Sequence, residues 1–504
     1  MSESSVPSYI RAELNLQTIH SPHESVIRTA EAICFAAEQK FSALAITDRA
    51  GAYAFYEAEA CCDQLCAPPK LIYGALLDCA ETVDAQPFGV TLLARTREGL
   101  CNLYRIVSDS YLPTHSGSTY PCTALSFLLA HRGGLLLGRA DDGRPGGIDA
   151  DFDYFELLPP TDRAGEAHAA AIVERGRAAG IPVLAVSGAR YLGEKEQTGC
   201  SALRACADEP AIRNSAARPL LSAEELLLRF AFLGSDTARR IVLENPARLA
   251  ARAEPFRLPR PDGPHAPILP HALWELRRRC MAAARAKYGD SLPAWVAVRL
   301  EHELDDISCT GNAVPVLLAA GIADFVRERG GDCIAHSLPA APGGFGGMLT
   351  ASLLGLTAED PLSPWDATPS SRSRMRLRVA VVVPEPLHQQ VCDYLKTIFG
   401  EKRVFCLADE WPLHAKIAAA LAGELPAGQS GTPEAEQKAV AETLCGAIQR
   451  QTRRVGLLIL PPDVDVDCFS PRVCTNRWRA QNDPFPLLQN DVLLGCAAQL
   501  DVLL

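Results

Sequence analysis

Short apolar runs alternate with helical periods from residue 9 to about residue 207 of the chain. The runs have the length and composition of buried strands, and examples are residues 41–47, 71–74, 90–94, 134–138 and 181–186. Between some of these runs, apolar residues recur at helical spacing, as over 26–39 and 167–179. Repeated alternation of strands and helices predicts an α/β fold built on a parallel sheet or barrel.

The pattern changes after the predicted barrel. Ser222 and Glu225 have the spacing of a capping box, which predicts that a helix begins there. A proline-rich stretch over 255–270 then reads as an extended linker. We therefore predict a distorted barrel over 9–212, a helical connector and linker over 213–270, and a second, α+β domain over 271–504.

The second domain combines helical periods with a few apolar strands. The spacing predicts helices over 271–288, 293–307, 413–422 and 434–449, and a buried strand over 455–460. Arg372, Arg374, Arg376 and Arg378 alternate, so a strand would carry them on one face. Such a face is either a solvated edge or a set of phosphate contacts.

Composition narrows the class of protein. The chain has 504 residues, of which 48% are apolar, so it is long enough for two or more packed domains. The net charge of −11 argues against a surface that binds a phosphate backbone everywhere. We expect the 18 scattered cysteines to behave mainly as buried apolar residues. Without a signal segment or an apolar span, the expected location is the cytoplasm, with no membrane partner.

Two segments of the predicted barrel resemble the PHP (polymerase and histidinol phosphatase) domain. That family opens with a strand of the form E-L-H-x-H-T and later has a strand that ends in T-D-H. This chain reads E-L-N-L-Q-T over 13–18 and I-T-D-R over 46–49, so Asn15, Gln17 and Arg49 stand at histidine positions. Neutral amides are weak ligands for transition metals, and a guanidinium repels a cation.

The remaining metal positions implied by the resemblance are also altered. Glu24 matches an acidic ligand, and Asp48 is retained. Leu76 replaces a glutamate, Asp141 a cysteine and Arg190 a histidine. We therefore expect no bound metal at the degenerate positions, which are Asn15, Gln17, Glu24, Arg49, Leu76, Asp141 and Arg190.

A collinear series of segments resembles the PolC-type DNA polymerase III alpha subunit. The matching segments are 221–225, 244–246, 299–304, 311–314, 355–357, 360–362, 393–401, 404–405 and 456–461. The resemblance implies a PHP barrel followed by part of a polymerase palm, with nucleotidyl transfer by two Mg²⁺ ions as the ancestral chemistry. It also implies missing parts, because the region between Leu76 and Phe88 is too short for the family's exonuclease insertion and no cysteine-paired zinc ribbon follows 360–362.

The palm positions have lost most of their chemistry. In the family two carboxylates on one strand form D-x-D, and the resemblance puts Arg378 and Ala380 there. Asp501 matches the third carboxylate. The family's phosphate loop resembles G-S-R-G-S-x-G-S-S, whereas this chain has a degenerate loop with Pro342 at the arginine position. The loop residues considered for nucleotide binding are Pro342, Gly343, Gly344, Gly346 and Gly347.

Other charged residues are candidate ligands. Lys416 aligns with a family lysine and joins Arg372, Arg374 and Arg376 as a candidate phosphate contact. Asp463, Asp465 and Asp467 alternate with valines, which on a strand would place them on one face. That face is either solvated or a metal-binding strand, and we favour the solvated reading.

These residues predict a catalytically inactive relative of the alpha subunit. We expect it to need no cofactor and to have a binding or accessory role in DNA replication or repair, with replication proteins or DNA as weak partners. Two alternatives stay open. Residual DNA polymerase or PHP phosphoesterase activity is one, and a protein-binding scaffold is the other.

Overall fold

The fold is that of a computed structural model. The structure describes residues 10–82, 84–112, 121–144, 147–207, 210–213, 215–260, 269–338, 347–358, 378–423, 433–453, 457–460, 464–473, 487–488 and 498–503. The chain divides into two compact units, each built from separate segments. Unit 1 comprises 1–259, 408–452 and 466–490, and unit 2 comprises 260–407, 453–465 and 491–504.

Unit 1 contains the predicted strand–helix alternation. Its strands within residues 12–185 are β1 (Ala12–Leu16), β2 (Ala43–Ile46), β3 (Lys70–Ala80), β4 (Phe88–Ala94), β5 (Cys122–Ala124), β6 (Leu135–Arg139), β7 (Tyr154–Leu157) and β8 (Val183–Ala185). Its first ten helices are α1 (Thr29–Glu38), α2 (Ala54–Asp63), α3 (Arg97–Ser110), α4 (Leu125–Ala130), α5 (Arg163–Ala179), α6 (Glu194–Ala205), α7 (Pro210–Arg213), α8 (Ala223–Arg229), α9 (Ser235–Arg239) and α10 (Asn245–Ala251). A π-helical turn, Arg240–Glu244, joins α9 to α10.

Strands β1 to β8 form one curled sheet. Its order is β1-β2-β3-β4-β6-β7-β8, with β5 paired to β3. An isolated parallel bridge between Leu16 and Ala189 links the end of β1 to the segment after β8, so the sheet curls back towards its first strand. Strands β1, β2 and β4 are buried throughout, as expected where both faces are covered. The predicted α/β class with a PHP-like first part is confirmed.

One strand departs from the predicted parallel arrangement. Strand β4 runs antiparallel to both β3 and β6, whereas the other neighbouring pairs of this sheet are parallel. The reason is the short connection over 81–87. A parallel crossover needs a dozen or more residues, so a chain that returns this soon must reverse direction.

Local sequence signals fix several helix ends in unit 1. Thr96 begins α3 by accepting a hydrogen bond from the backbone N–H of Gly99. The predicted capping box of α8 is confirmed, since Ser222 and Glu225 each bond the other's backbone N–H. Helix α5 ends at Gly180, whose φ of 71° suits a residue without a side chain.

Residues 408–452 also belong to unit 1. Their helices are α16 (Ala415–Gly423) and α17 (Pro433–Leu444). Leu413, Ala418 and Leu444 share a buried cluster with Val26 and Tyr191. The helix predicted over 434–449 is wrong in its last turn, because Gly446 adopts a φ of 88° and strand β12 (Ile448–Arg453) follows.

Unit 2 is an α+β arrangement. Its elements include α11 (Ala272–Tyr288), α12 (Ala294–Cys309), α13 (Ala313–Arg327), β9 (Ile334–Leu338), α14 (Leu349–Leu353), β10 (Arg378–Val382), α15 (His388–Phe399), β13 (Leu457–Ile459) and β16 (Ala498–Leu503). Strand β10 lies between β9, which is antiparallel to it, and β16, which is parallel. Strand β11 (Val404–Pro412) pairs with β13 through Val404 and Phe405.

Two short features of the C-terminal third complete the fold. Residues Val466–Cys468 form a 3-10 turn. The strand considered for the alternating aspartates is therefore wrong at Asp467. Asp463 lies outside the described residues. Strands β14 (Arg472–Val473) and β15 (Leu487–Leu488) pair antiparallel.

Within the described ranges, no single helix has both the length and the apolar character needed to cross a membrane. Helices α12 and α13 meet those criteria only as a pair that is bent by 114°.

Candidate functional site

The degenerate metal positions gather at one edge of the first sheet. Every strand of this sheet except β4 runs in the same direction, so the carboxyl ends of the others share that edge. Asn15 lies in β1 and Gln17 just beyond it, while Arg49, Asp141 and Arg190 follow β2, β6 and β8. Ligand-binding residues of α/β folds commonly lie at this edge, so the frame of a site is present.

The amides that stand in histidine positions are buried. The Asn15 Nδ2 donates to Oε2 of Glu156 at 2.8 Å, and this bond joins β1 to β7. Gln17 is fully buried, and neither its amide nitrogen nor its amide oxygen has a hydrogen-bond partner among the described residues. A buried amide without hydrogen-bond partners lowers the stability of the folded state, so the Gln17 side chain carries a free-energy cost at this position.

Asp48, the retained acidic residue, is committed to the loop that follows β1. Its Oδ1 accepts from the Thr18 backbone N–H at 2.6 Å and from the Ser21 hydroxyl at 2.8 Å. Its Oδ2 accepts from the Thr18 hydroxyl at 2.9 Å. Burial raises the pKa of this carboxyl, although nearby His20 and these donors oppose the shift. Asp48 therefore holds a loop in place with both of its oxygens.

Glu24, the other retained acidic position, is covered by guanidinium groups. The Arg49 Nε donates to Oε1 of Glu24, and an Arg190 nitrogen lies 3.5 Å from Oε2. Burial by itself would raise the pKa of Glu24, but the positive charges of Arg49, Arg190 and Arg204 outweigh it and lower that pKa. Burial lowers the pKa of Arg190 to about 10, which leaves the guanidinium charged at neutral pH. Two arginines at former histidine positions thus neutralise the acidic residue.

The ion pairs continue along the same edge. Arg49 also reaches Asp78, with 3.5 Å between its NH1 and Oδ1 of the carboxylate. Arg144 lies 2.8 Å from the same oxygen and 2.8 Å from Oδ2 of Asp142. Burial opposes the charge of Arg144, yet its hydrogen bond to Asp78 raises its pKa. Alternating cations and anions therefore occupy this edge of the barrel.

His20 forms a second charged cluster within unit 1. Its Nδ1 lies 2.6 Å from Glu410, and its Nε2 lies 3.3 Å from Glu57. Burial disfavours the imidazolium, but the hydrogen bonds to Glu410 and Glu57 prevail and raise the pKa of His20 to about 10. Glu410 belongs to β11, so the segment 408–452 contributes directly to the surroundings of the loop after β1.

The two remaining PHP positions have structural partners. Asp141 accepts from the Leu158 backbone N–H at 2.9 Å and lies 2.8 Å from the His168 Nε2. Leu76 is a buried strand residue whose backbone N–H donates to the Asp48 carbonyl and whose carbonyl accepts from Ala50. The side chain of Leu76 has no ligand atom, and both carboxylate oxygens of Asp141 already have hydrogen-bond partners.

The side chains present do not fit a divalent metal. No group of three or more histidine, cysteine, aspartate or glutamate residues among those described could hold a metal ion. The positions that carry imidazoles in the PHP family carry amides and guanidiniums here. Glu24 neutralises arginines, and Asp48 and Asp141 already accept hydrogen bonds. Such a donor set lacks the nitrogen and oxygen ligands that Zn²⁺, Mn²⁺ or Mg²⁺ requires.

Sequence reasoning missed several members of this edge. Glu156 stands on the otherwise apolar strand β7 and is fully buried, and burial raises its pKa to about 8. Asp78, Arg144 and Glu410 were not singled out either. A carboxylate within an apolar strand was a detectable signal for Glu156, whereas the other three are recognised only once the fold brings their partners near.

The palm positions lie on neighbouring strands of unit 2. Arg378 and Ala380 belong to β10, and Asp501 belongs to β16. The register pairs Ala380 directly with Asp501 in the parallel direction. The backbone therefore brings together the positions that carry three carboxylates in the polymerase family, but two of those residues are an arginine and an alanine.

The other nucleotide and phosphate candidates are only partly described. Pro342, Gly343, Gly344 and Gly346, together with Arg372, Arg374 and Arg376, lie outside the described residues. The carbonyl of Gly347 accepts a hydrogen bond of 2.6 Å from Arg299. Lys416 is exposed on α16 and belongs to unit 1, whereas Asp501 belongs to unit 2. The phosphate contacts proposed for Arg372, Arg374, Arg376 and Lys416 stay a prediction.

Solved structures similar to part of the chain include two bacterial proteins. One is described as a metal-dependent phosphoesterase from Bifidobacterium adolescentis, with 13% identity and a TM-score of 0.25 over 43% of this chain and 95% of that one. The other is an amidohydrolase from Chromobacterium violaceum, with 12% identity and a TM-score of 0.27 over 36% of this chain and 89% of that one.

Sequence comparison gives a family for the first unit and relatives for a larger part of the chain. The PHP domain family matches residues 13–185. DNA polymerase III PolC-type of Thermotoga petrophila is 30% identical over 316 residues, which cover 57% of this chain and 22% of the relative. The Staphylococcus aureus protein of the same name is 30% identical over 322 residues, again 57% of this chain and 22% of the relative. The chain thus spans about a fifth of the length of these relatives. It contains a PHP domain and is a relative of PolC-type DNA polymerase III.

Proposed function

We propose that this chain is a catalytically inactive relative of the PolC-type alpha subunit that acts in the cytoplasm through binding, in DNA replication or repair. Three features support the proposal: the substituted PHP positions, the substituted palm carboxylates and a fold that keeps both strand frameworks. An intact scaffold with neutralised metal positions is what a binding protein of this descent would retain.

The observation that carries the proposal is the position of Arg49 and Arg190 against Glu24. A divalent ion and a guanidinium about 5 Å apart repel each other by on the order of 7 kcal/mol at an effective dielectric constant of ~20. Two such groups repel the ion by on the order of 13 kcal/mol, which cancels the attraction of roughly the same size that one carboxylate exerts on it at ~2.5 Å. Metal binding at this edge would therefore require both arginines to leave a buried ion pair.

The palm-like strands support the same conclusion independently. Two-metal nucleotidyl transfer needs carboxylates that hold both ions. Ala380 has no ligand atom in its side chain, and Arg378 carries a positive charge. Asp501 by itself cannot hold two ions, so we propose that phosphoryl transfer has been lost at both ancestral sites.

The test measures metal content and turnover on the full-length chain. Equilibrium dialysis with Mn²⁺ or Zn²⁺, followed by elemental analysis, should give less than one ion per chain. Primer extension and phosphodiester hydrolysis with Mg²⁺ or Mn²⁺ should remain at the level of a buffer blank. A PolC-type polymerase from Thermotoga petrophila, assayed in parallel, serves as the positive control.

A variant that restores ligands sharpens the test. The fourfold change Asn15→His, Gln17→His, Arg49→His and Arg190→His returns imidazoles to the edge beside Glu24, and we expect it to bind metal more tightly than the parent chain. Stoichiometric metal in the unmodified chain, or turnover that Asp501→Ala abolishes, would establish the alternative of residual activity and end the proposal.

The binding role itself divides into two outcomes that one pair of experiments separates. Binding to DNA through phosphate contacts weakens steeply as salt rises, so affinity at two salt concentrations measures it. A protein-binding scaffold would give no such salt-sensitive DNA affinity and would instead co-purify with a replication protein. With a net charge of −11, we expect the DNA affinity of the whole chain to be weak.

A further inference from the structure

Two cysteine thiols from distant parts of the chain meet in unit 1. Cys101 lies in the second turn of α3, and Cys468 ends the 3-10 turn Val466–Cys468. Their Sγ atoms are 2.7 Å apart although 367 positions separate the two residues in the sequence. We propose that Cys101 and Cys468 form a reversible disulfide that fastens residues 466–473 to helix α3.

The surrounding contacts hold the two sulfurs at this place. Arg472, four residues after Cys468, donates its backbone N–H to the Ser108 hydroxyl on α3 at 2.8 Å. The Arg472 guanidinium also lies 3.0 Å from Asp467, which stiffens the turn. The segment therefore touches α3 at two places, Cys101 and Ser108, which lie about two helical turns apart. A disulfide is about 2.05 Å long, so the sulfurs need to approach by roughly a further 0.65 Å.

Helix α3 is itself well anchored, which limits how far Cys101 can move. Thr96 caps its first turn through Gly99. A Cβ added to Gly99 would lie 1.9 Å from the carbonyl oxygen of Gly134, so the helix start packs directly against the backbone before β6. The Cys101 thiol is therefore held in place, and the fold positions the turn that carries Cys468 against it.

Access and reactivity set this pair apart from other neighbouring thiols. Cys101 and Cys468 are both half-buried, so a small oxidant can approach them. Cys79 and Cys122 lie on the paired strands β3 and β5 and are buried. Burial raises the pKa of Cys79 strongly and that of Cys122 to about 11. Because the thiolate is the reactive form, we expect these two thiols to be slow.

The chemistry needs an oxidant of the small-molecule disulfide class, for which oxidised glutathione serves as the probe. The thiolate of one cysteine attacks a glutathione sulfur, which breaks the glutathione disulfide and releases one reduced glutathione. The second cysteine then attacks the mixed disulfide at the protein sulfur and releases the other glutathione. Two protein thiols are oxidised, one glutathione disulfide is reduced to two thiols, and the two protons end on the released glutathiones.

The experiment uses the full-length chain under native conditions. After incubation with oxidised glutathione, remaining thiols are alkylated and the protein is digested without reductant for mass spectrometry. We expect one dominant cross-linked peptide pair, containing Cys101 and Cys468, that disappears after dithiothreitol. Oxidation of other thiols with those two still alkylated as free thiols would overturn the proposal, and this result needs no variant to fold.

Variants then test the consequence for the segment. Cys101→Ser and Cys468→Ser should each abolish the cross-link. Cys66→Ser should leave it intact, because Cys66 is an exposed cysteine in the loop between α2 and β3. Hydrogen exchange over residues 466–473 should slow on oxidation of the parent chain and of Cys66→Ser, but not of the other two. A cross-link that leaves exchange of this segment unchanged would refute the claim that the bond fastens it to α3.

Discussion

The buried carboxyl of Glu156 makes the stability of the protein depend on pH in an unusual direction. Glu156 lies on β7 with 2% of its surface exposed, and its Oε2 accepts the hydrogen bond from Asn15. Burial raises its pKa from 4.5 to about 8, against the opposing effect of its hydrogen bonds. The group is therefore neutral in the folded protein at pH 7 and charged in the unfolded chain.

The sign of the pH effect follows from these two values. Between pH 4.5 and pH 8 the folded state holds one proton more than the unfolded state at Glu156. The free energy of unfolding therefore decreases as pH rises through this window and levels off above the folded pKa. Integrating both titrations from pH 5 to pH 8 gives a loss of roughly 3–4 kcal/mol from this group.

The perturbation is Glu156→Gln, which keeps the shape of the side chain and an oxygen acceptor for Asn15 but cannot titrate. The unfolding free energies of the variant and the parent chain are measured by denaturant titration at pH 5, 6, 7 and 8. We expect the difference, variant minus parent, to increase by roughly 3–4 kcal/mol between pH 5 and pH 8. Tyr154→Phe is the matched control, because Tyr154 is fully buried on the same strand and burial raises its pKa far above this range.

A direct measurement accompanies the titration. Infrared difference spectra of parent minus Glu156→Gln at pH 7 should contain the carbonyl stretch of a protonated carboxyl, and this band should fade as pH rises above 8. A constant difference in unfolding free energy between pH 5 and pH 8, together with no such band, would show that Glu156 is ionised in the folded protein and refute the reasoning.

Further predictions concern three other positions and use the same denaturant titration. Glu24→Gln should lower the unfolding free energy by about 3–5 kcal/mol, because it leaves buried guanidiniums without their carboxylate; a loss below ~1 kcal/mol would contradict that account. Gly99→Ala should destabilise by about 1–3 kcal/mol through its clash with Gly134, whereas Gly423→Ala, with nothing within 4 Å, should be tolerated. Ser222→Ala should cost about 1 kcal/mol through the lost cap of α8, and an unchanged midpoint would argue against it.

Sequence patterns predicted those parts of the fold that depend on short-range order. The apolar run over 41–47 became β2, and the helical period over 167–179 became the larger part of α5. Both depend on periodicity and end signals within the element itself. The reversed direction of β4 was missed, although the length of the connection over 81–87 was readable and excludes a parallel crossover.

The long-range features could not be read in this way. Nothing in the composition of residues 408–452 indicates that α16 and α17 belong with the barrel, because the evidence is a buried cluster shared with Val26 and Tyr191. The contact between His20 and Glu410 is of the same kind. Such pairings depend on which surfaces meet after folding, and a single sequence contains no signal for them.

The resemblance predicted which metal-ligand positions of the candidate site are substituted. It did not predict which contacts the replacement side chains make. The substitutions at Asn15, Gln17, Arg49 and Arg190 are visible in the sequence. How the replacement residues are used is not visible there: Asn15 bonds the buried Glu156, whereas the two arginines neutralise Glu24. Gln17 has no described partner, so the replacement is incomplete at that position.

Under the proposed loss of the metal, these replacements explain how the barrel remains folded. A buried carboxylate such as Glu24 needs a compensating positive charge, which a bound cation supplies in a metal-containing site and which guanidinium groups supply here. Removing only Arg49 would leave Arg190 against Glu24 and would still offer amides at positions 15 and 17 as the nearest ligands. Regaining a metal therefore requires several changes at once, and those at Asn15, Arg49 and Arg190 each break a buried hydrogen bond or ion pair. A single substitution at this edge of the sheet is therefore not enough to create a metal site, because Arg49 and Arg190 already balance the charge of Glu24.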